Sequence, residues 1–300
     1  MGILIDENTR VVVQGLTGRE AASFTEWMID YGTKVVAGVT PGKEGMKVHG
    51  VPVYNTVKSA VENHDANTSV VSVPPRFTKD AVMEAIDAGI ELVSVFTERV
   101  PRSDVIEMIQ FAKDHGARII GPNSLGSIVP GKVKLAAIGG PTEETNKAYT
   151  PGPVAVLSRS GGMMTETCSL MSVNGIGQSV AINVGGDPIV GSMFHELMPL
   201  LEKDPETKAV VIYGEPGTVA EETLADYIKE YGFSKPVVAF IGGGFVDKMP
   251  GQRFGHAAVI VTGKKGSVEG KKEALRDAGV LVADYHSEII TLLKEVLKMK

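Results

Sequence analysis

The sequence predicts an α/β protein made of two doubly wound parallel-sheet units, and three observations predict it. Short Val/Ile-rich runs alternate with longer amphipathic segments along nearly the whole chain, the pattern of strands joined by crossover helices. At 11–21 and again at 156–163, a strand-like run ends in a glycine-bearing loop that opens a helix-like segment. Between the two, Gly139-Gly140-Pro141 and Pro151-Gly152-Pro153 interrupt the rhythm over 138–153, so the boundary between units is expected there.

In the first unit, Val11–Val13 leads into an amphipathic stretch at 20–31, and 35–39 into another at 57–63. The strand-like runs 69–73, 92–96 and 118–120 then alternate with helix-like 79–88 and 102–115. The second unit repeats the scheme, with strand-like 154–157, 178–184, 209–213 and 237–241 alternating with helix-like 164–172, 192–202 and 220–231. Two helix-like segments, 271–278 and 287–299, follow. A chain of 300 residues suits two domains at ~100–200 residues each. The hydrophobic share of 43% is ordinary for a globular protein and excludes disorder as the main state.

Composition also narrows the function classes. The net charge is −6, and no Lys/Arg run exceeds the pairs Lys264-Lys265 and Lys271-Lys272, which speaks against a nucleic-acid-coating surface. No apolar run approaches the ~18 residues of a membrane span. The single cysteine, Cys168, forms no internal disulfide, and Met1–Glu7 has neither a basic start nor an apolar core, so a mature cytoplasmic chain is expected.

In the first glycine-bearing loop, Gly15, Gly18 and Ala21 stand three apart after a strand. Two readings stand: a backbone that approaches a phosphate held on the next helix's N–H groups, or a tight turn with Lys43 as a solvated loop residue. A nicotinamide dinucleotide site calls for an acid ~20 residues further on. None occurs from Tyr31 to Lys43, and the cation at Lys43 suits a phosphate instead. The second loop, Ser158-Arg159-Ser160-Gly161-Gly162-Met163, offers backbone N–H groups at Ser160, Gly161 and Gly162 to an anion, or simply a serine N-cap. It lacks the Gly-x-Ser-x-Gly pattern of a hydrolase nucleophile. The six histidines show no metal-ligand spacing within one helix, so no metal site is expected. His256 differs from the others in its small neighbours, Gly255, Ala257 and Ala258. An accessible neutral imidazole is a nucleophile near pH 7, although a lone histidine is more often structural.

The whole chain resembles the alpha subunit of succinyl-CoA synthetase, the succinate-CoA ligase family. The resemblance rests on colinear blocks that include Gln14-Gly15-Leu16-Thr17-Gly18, Gly38-Val39-Thr40-Pro41-Gly42-Lys43, Gly121-Pro122-Asn123, Ser158-Arg159-Ser160-Gly161, Gly185-Gly186-Asp187-Pro188, Gly214-Glu215 and Gly255-His256-Ala257. It implies a Rossmann-like CoA-binding domain over 1–140 and a flavodoxin-like, phosphohistidine-bearing ligase domain over 151–300. It further implies that Thr17, Gly18, Arg19, Glu20 and Ala21 form the phosphate loop for coenzyme A, with Lys43 nearby and Phe96, Thr97 and Glu98 along the adenosine side. His256 matches the phosphorylated histidine, Glu215 the acid that hydrogen-bonds its ring, and Ser160, Gly161 and Gly162 a helix mouth that receives the phosphoryl group. The chain has no P-loop, so the nucleotide is expected to be met elsewhere, and the resemblance implies a separate ATP-grasp beta subunit that carries ATP or GTP and Mg2+.

Some positions depart from the family pattern. Ala21 replaces a glycine, Glu44 interrupts a Lys-Gly-Gly run, and Glu215-Pro216-Gly217-Thr218 replaces Glu-Ile-Gly-Gly. Thr165 stands where a tyrosine associated with the carboxylate substrate is usual, and Ser160-Gly161-Gly162-Met163 is closer to the citrate-activating relatives, ATP citrate lyase and citryl-CoA synthetase. The expected activity is thus acid–thiol ligation with succinate, with citrate or another dicarboxylate as the alternative. A non-catalytic CoA-binding regulator is a further alternative from another class.

Overall fold

A computed structural model describes residues 3–245 and 265–299. The first part of the chain runs β1 (Arg10–Gln14), α1 (Arg19–Tyr31), β2 (Lys34–Val39), β3 (Lys47–Val48), β4 (Val51–Tyr54), α2 (Val57–His64), β5 (Thr68–Val71), α3 (Pro75–Asp87), β6 (Leu92–Val95), α4 (Arg102–Asp114) and β7 (Arg118–Ile120). These strands form a sheet of order β3-β4-β2-β1-β5-β6-β7, parallel except where β3 pairs with β4. Counted among the parallel strands alone, the order is third, second, first, fourth, fifth, sixth, that of a dinucleotide-binding doubly wound sheet.

The chain continues with β8 (Ser127–Val129), β9 (Val133–Lys134), α5 (Thr142–Ala148), β10 (Pro151–Ser158), α6 (Gly161–Val173), β11 (Gln178–Asn183), α7 (Phe194–Lys203), β12 (Ala209–Gly214), α8 (Ala220–Tyr231), β13 (Val237–Ile241), α9 (Val268–Asp277), β14 (Leu281–Ala283) and α10 (Glu288–Val296). The second sheet has the order β14-β13-β12-β10-β11-β8-β9. Its five parallel strands follow the flavodoxin-like order, and the β8–β9 hairpin extends the β11 edge antiparallel. The chain therefore passes from one sheet to the other between Ile120 and Ser127, ahead of the glycine- and proline-rich break, which itself contains α5.

The central strands are legible because they are buried on both faces: all residues of β5, β6, β11 and β12 are buried, which favours runs dominated by apolar residues, and polar ones such as Ser69 and Asn183 are hydrogen-bonded. Helix α1 buries Ala21, Phe24, Thr25 and Met28 at helical spacing and ends on Gly32 at φ 101°, a left-handed C-cap that glycine reaches without a Cβ penalty. One continuous core contains Val11, Phe24 and Met28 of the first sheet's layer together with Val129, Leu157 and Phe194 of the second. The end of α1 is pinned to the hairpin. The Gly131 N–H donates to the Tyr31 hydroxyl at 2.8 Å, and the Thr33 hydroxyl donates to the Lys134 carbonyl at 2.8 Å.

Candidate functional site

In each sheet the strand order reverses about its first parallel strand, β1 or β10, and ligands of open α/β sheets bind at such switch points beyond the strand C-termini. At the first, Gly15 adopts φ 84° and its N–H donates to the Val39 carbonyl, while the Gly18 N–H closes a tight turn onto Gly15. A Cβ on Gly15 would stand 2.2 Å from the Ser72 carbonyl oxygen, so the turn after β1 lies directly on the turn after β5.

A cleft of about 750 Å³ opens there. Its walls are the start of α1 (Gly18–Ala21), the turn after β5 (Ser72–Pro75), the turn after β6 (Phe96–Arg99) and the turn after β7 (Asn123–Leu125). Seven predicted residues meet in this one cavity: Gly18, Arg19, Glu20 and Ala21 on one wall, Phe96, Thr97 and Glu98 on another. Thr17 and Lys43 are not among its lining residues, and each is bonded to Thr40. The Thr17 hydroxyl donates to the Thr40 hydroxyl at 3.3 Å, and the Lys43 N–H donates to the Thr40 carbonyl at 3.0 Å. Sequence reasoning missed Ser72–Pro75, Arg99, Ser124 and Leu125. It noted Asn123 only as part of a motif, although the proline pair directly after a buried strand was a usable signal.

Arg99 and Asn123, both on the cleft wall, have φ 58°. Left-handed backbone costs a residue with a Cβ on the order of 1–2 kcal/mol, less for asparagine. One buried side chain holds both: Asp187, 3% exposed, accepts from the Arg99 N–H at 3.0 Å and from the Asn123 side-chain amide at 3.1 Å. Burial pushes the Asp187 carboxyl above its ordinary range, and these hydrogen bonds pull it back in part.

At the second switch point β10 leads into Ser158-Arg159-Ser160 and the mouth of α6. The Ser160 hydroxyl caps the helix by accepting from the Met163 N–H, so the N-cap reading of Ser160 describes what its side chain does. The Asn183 amide donates to the Ser158 and Arg159 carbonyls at 3.0 and 2.9 Å, which fixes the turn. Buried Arg159 donates to the Asp187 carbonyl at 2.8 Å. Gly161 is pressed against Leu125, where a Cβ would lie 2.4 Å from a methyl carbon, while Gly162 faces open space. Leu125 also lines the cleft, so a single residue separates the cleft from this helix mouth.

Glu215 follows β12, half-buried, with its N–H donating to the Glu221 carboxylate at 3.1 Å. Burial, with the Glu215 carboxylate adding to it, pushes the neighbouring Tyr213 hydroxyl up to about 12. Thr165 lies one turn into α6 and bonds the hydroxyl of buried Tyr149 at 2.9 Å and the Gly161 carbonyl at 3.2 Å. His256 lies outside the described residues. Among the described residues, no group of three or more His, Cys, Asp or Glu is arranged to hold a metal ion, and no helix is long and apolar enough to cross a membrane.

Residues 6–99 match the model of the CoA binding domain family, and residues 157–281 that of the CoA-ligase family. The chain is 46% identical to succinate–CoA ligase [ADP-forming] subunit alpha 2 of Archaeoglobus fulgidus, over 99% of this chain and 100% of that one. It is 44% identical to a subunit of the ADP-forming sulfoacetate-CoA ligase of Bilophila wadsworthia, again over 99% and 100%. Among solved structures, ATP citrate lyase of Methanothrix soehngenii, in complex with citrate and coenzyme A, superposes with a TM-score of 0.91 at 26% identity. That alignment covers 98% of this chain and 51% of the lyase, so the chain spans about half of that longer protein.

Proposed function

The chain belongs to the family of succinate–CoA ligase alpha subunits and related acid–CoA ligases, and on that footing we propose that it is the CoA-binding, histidine-phosphorylated subunit of an ADP-forming acid–CoA ligase. The overall reaction joins a carboxylic acid to coenzyme A while a nucleoside triphosphate becomes diphosphate and phosphate. The observation that carries this reading is Leu125. It forms the inner wall of the cleft and the packing surface of Gly161 at once, so a thiol at the inner end of the cleft stands beside the α6 mouth.

In this reading the α1 N-terminus and the Gly15–Gly18 turn hold the diphosphate of coenzyme A on backbone N–H groups. Lys43, beyond β2, serves the adenosine end. The turn after β6 lies on the other side of β1 from β2 and next to the second sheet. We therefore assign Phe96, Thr97 and Glu98 to the pantetheine end rather than to adenosine. The division into a CoA unit over 1–140 and a ligase unit over 151–300 is part of the same proposal.

The chemistry then runs in three displacements. The His256 imidazole attacks the γ-phosphorus and releases the diphosphate. The acid's carboxylate oxygen takes the phosphoryl group to give an acyl phosphate and restores the imidazole. The CoA thiolate attacks the acyl carbon and expels inorganic phosphate. Glu215 fixes the imidazole tautomer so that the opposite nitrogen attacks, and the first-turn N–H groups of α6 stabilise charge on the transferred phosphoryl. The nucleotide and its magnesium reside on an ATP-grasp beta partner, in the cytoplasm. Succinate is the acid proposed. A second reading, an acid with a different distal anionic group, is favoured by the sulfoacetate-CoA ligase subunits at 44–45% identity, level with the succinate relatives.

The test is labelling of the co-expressed complex with γ-labelled ATP. An acid-labile, alkali-stable phosphate on this chain, abolished in His256→Asn, supports the reading, and undiminished labelling and turnover in His256→Asn refute it. CoA-ester mass spectrometry with succinate, sulfoacetate and citrate identifies the acid.

A further inference from the structure

The two left-handed residues of the cleft wall come from different turns, Arg99 after β6 and Asn123 after β7, and Asp187 reaches both from the turn after β11 in the other sheet. Its carboxylate oxygens are divided between them, Oδ2 accepting from the Arg99 N–H and Oδ1 from the Asn123 amide. The backbone around it interlocks further. The Gly186 N–H donates to the Asn123 carbonyl at 3.0 Å, the Gly191 N–H to the Gly121 carbonyl at 2.7 Å, and a Cβ on Gly185 would stand 2.2 Å from the Pro122 carbonyl oxygen. The Asp187 carbonyl meanwhile takes the Arg159 guanidinium of the turn that opens α6. Strained backbone of this kind persists only where its surroundings over-determine it, and it concentrates at ligand clamps.

We propose that Asp187 is a positioning residue: its buried carboxylate holds the Arg99 and Asn123 turns in the left-handed shape that forms the inner, thiol-proximal wall of the cleft. Its main chain holds that wall at a set distance from the α6 mouth. The inference rests on the reading of the cleft as a coenzyme A site. Asp187 touches neither reacting atom; it acts through the two turns. The clamp requires a hydrogen-bonding partner for each turn in the right place rather than a negative charge. An asparagine at 187 would accept from the Arg99 N–H through its oxygen and, with the Asn123 amide turned over, donate to Asn123 through its nitrogen. Leucine, of similar volume, would offer neither bond.

The experiment compares wild type, Asp187→Asn and Asp187→Leu, each co-purified with its nucleotide-binding partner. It measures CoA affinity by titration, KM for CoA, and the rate of phosphorylation of this chain by ATP in the absence of CoA. Asp187→Leu is expected to weaken CoA binding and raise its KM about tenfold or more, while CoA-independent phosphorylation changes less than about twofold. Asp187→Asn is expected to bind CoA within about threefold of wild type. Wild-type affinity in Asp187→Leu overturns the inference, as does an equal loss in both half-reactions, which is the mark of general unfolding. Asparagine as damaging as leucine also overturns it, since charge rather than the clamp would then matter. Absence of CoA binding by wild type would instead overturn the reading of the cleft, and the inference with it.

Discussion

Gly15 and Ser72 meet so closely that the Gly15 α-carbon has no room for a substituent: a Cβ would lie 2.2 Å from the Ser72 carbonyl oxygen, at a φ of 84°. Gly18 sits in ordinary extended backbone at φ −74°, where a methyl group would stand 3.2 Å from the Gly15 oxygen. Gly15→Ala is therefore expected to cost about 2 kcal/mol or more and to abolish CoA binding, whereas Gly18→Ala costs below about 1 kcal/mol. Denaturant melts and CoA titration of the two variants check the contrast. Equal stability of the two would show that the close approach carries no weight.

Thr165 and Tyr149 are hydrogen-bonded through their hydroxyls. A phenol at 165 must break that bond and take up space near the α6 mouth, so Thr165→Tyr is expected to shift the acid range toward succinate and against bulkier acids. Steady-state rates with succinate, malate and citrate for both forms measure it, and an unchanged ranking would leave Thr165 without a role in specificity.

Lys271 is wholly buried and paired with Glu221, also wholly buried, and with Glu222 at 3.0 Å. Glu221 in turn accepts from the Glu215 N–H, and Glu222 from the Gly266 N–H. Lys271→Met strands buried carboxylates and is expected to cost ~3–5 kcal/mol. Lys271→Met with Glu221→Leu should recover much of that, because the uncompensated charge leaves with its partner. Urea unfolding of the single and double variants measures the difference, and a double variant weaker than the single one would contradict it.

Lys134 is fully buried, donating to the Gly140 carbonyl and, at 3.1 Å, to the Thr145 hydroxyl. Burial lowers its pKa from 10.5 to about 8. Between about pH 8 and 10.5 the unfolded chain binds the extra proton and the folded chain does not, so stability rises with pH across that window. Wild-type stability minus that of Lys134→Met should thus increase from about pH 8 to 10, by at most ~3 kcal/mol. A flat difference curve would mean that Lys134 titrates normally.

Strands such as Val11–Val13 and 209–213 were legible in the sequence, since a strand covered on both faces is dominated by apolar residues. The helices between them were legible from their spacing, and the turns after β1 and β10 from their glycines. The β8–β9 hairpin was not, because strands of three and two residues are too short to show a period. His256 stood out first by its small neighbours, a weak signal that only the resemblance gave a role, and Glu215 was singled out by the resemblance alone.

What the sequence by itself determined was therefore the longer strands and most of the helices, the two glycine turns and the family. Only the tertiary structure decided which turns share a cleft. Asn123 and Asp187 are 64 positions apart and Arg99 and Asp187 are 88 apart, and no local pattern of side chains encodes such pairs. They meet because the turns after β6 and β7 are bonded to the turn after β11, through the pairs Arg99 and Asp187, Asn123 and Asp187, and Gly186 and Asn123. Strand order is chosen by burial of both sheet faces and the handedness of the crossovers, which act on the whole chain at once.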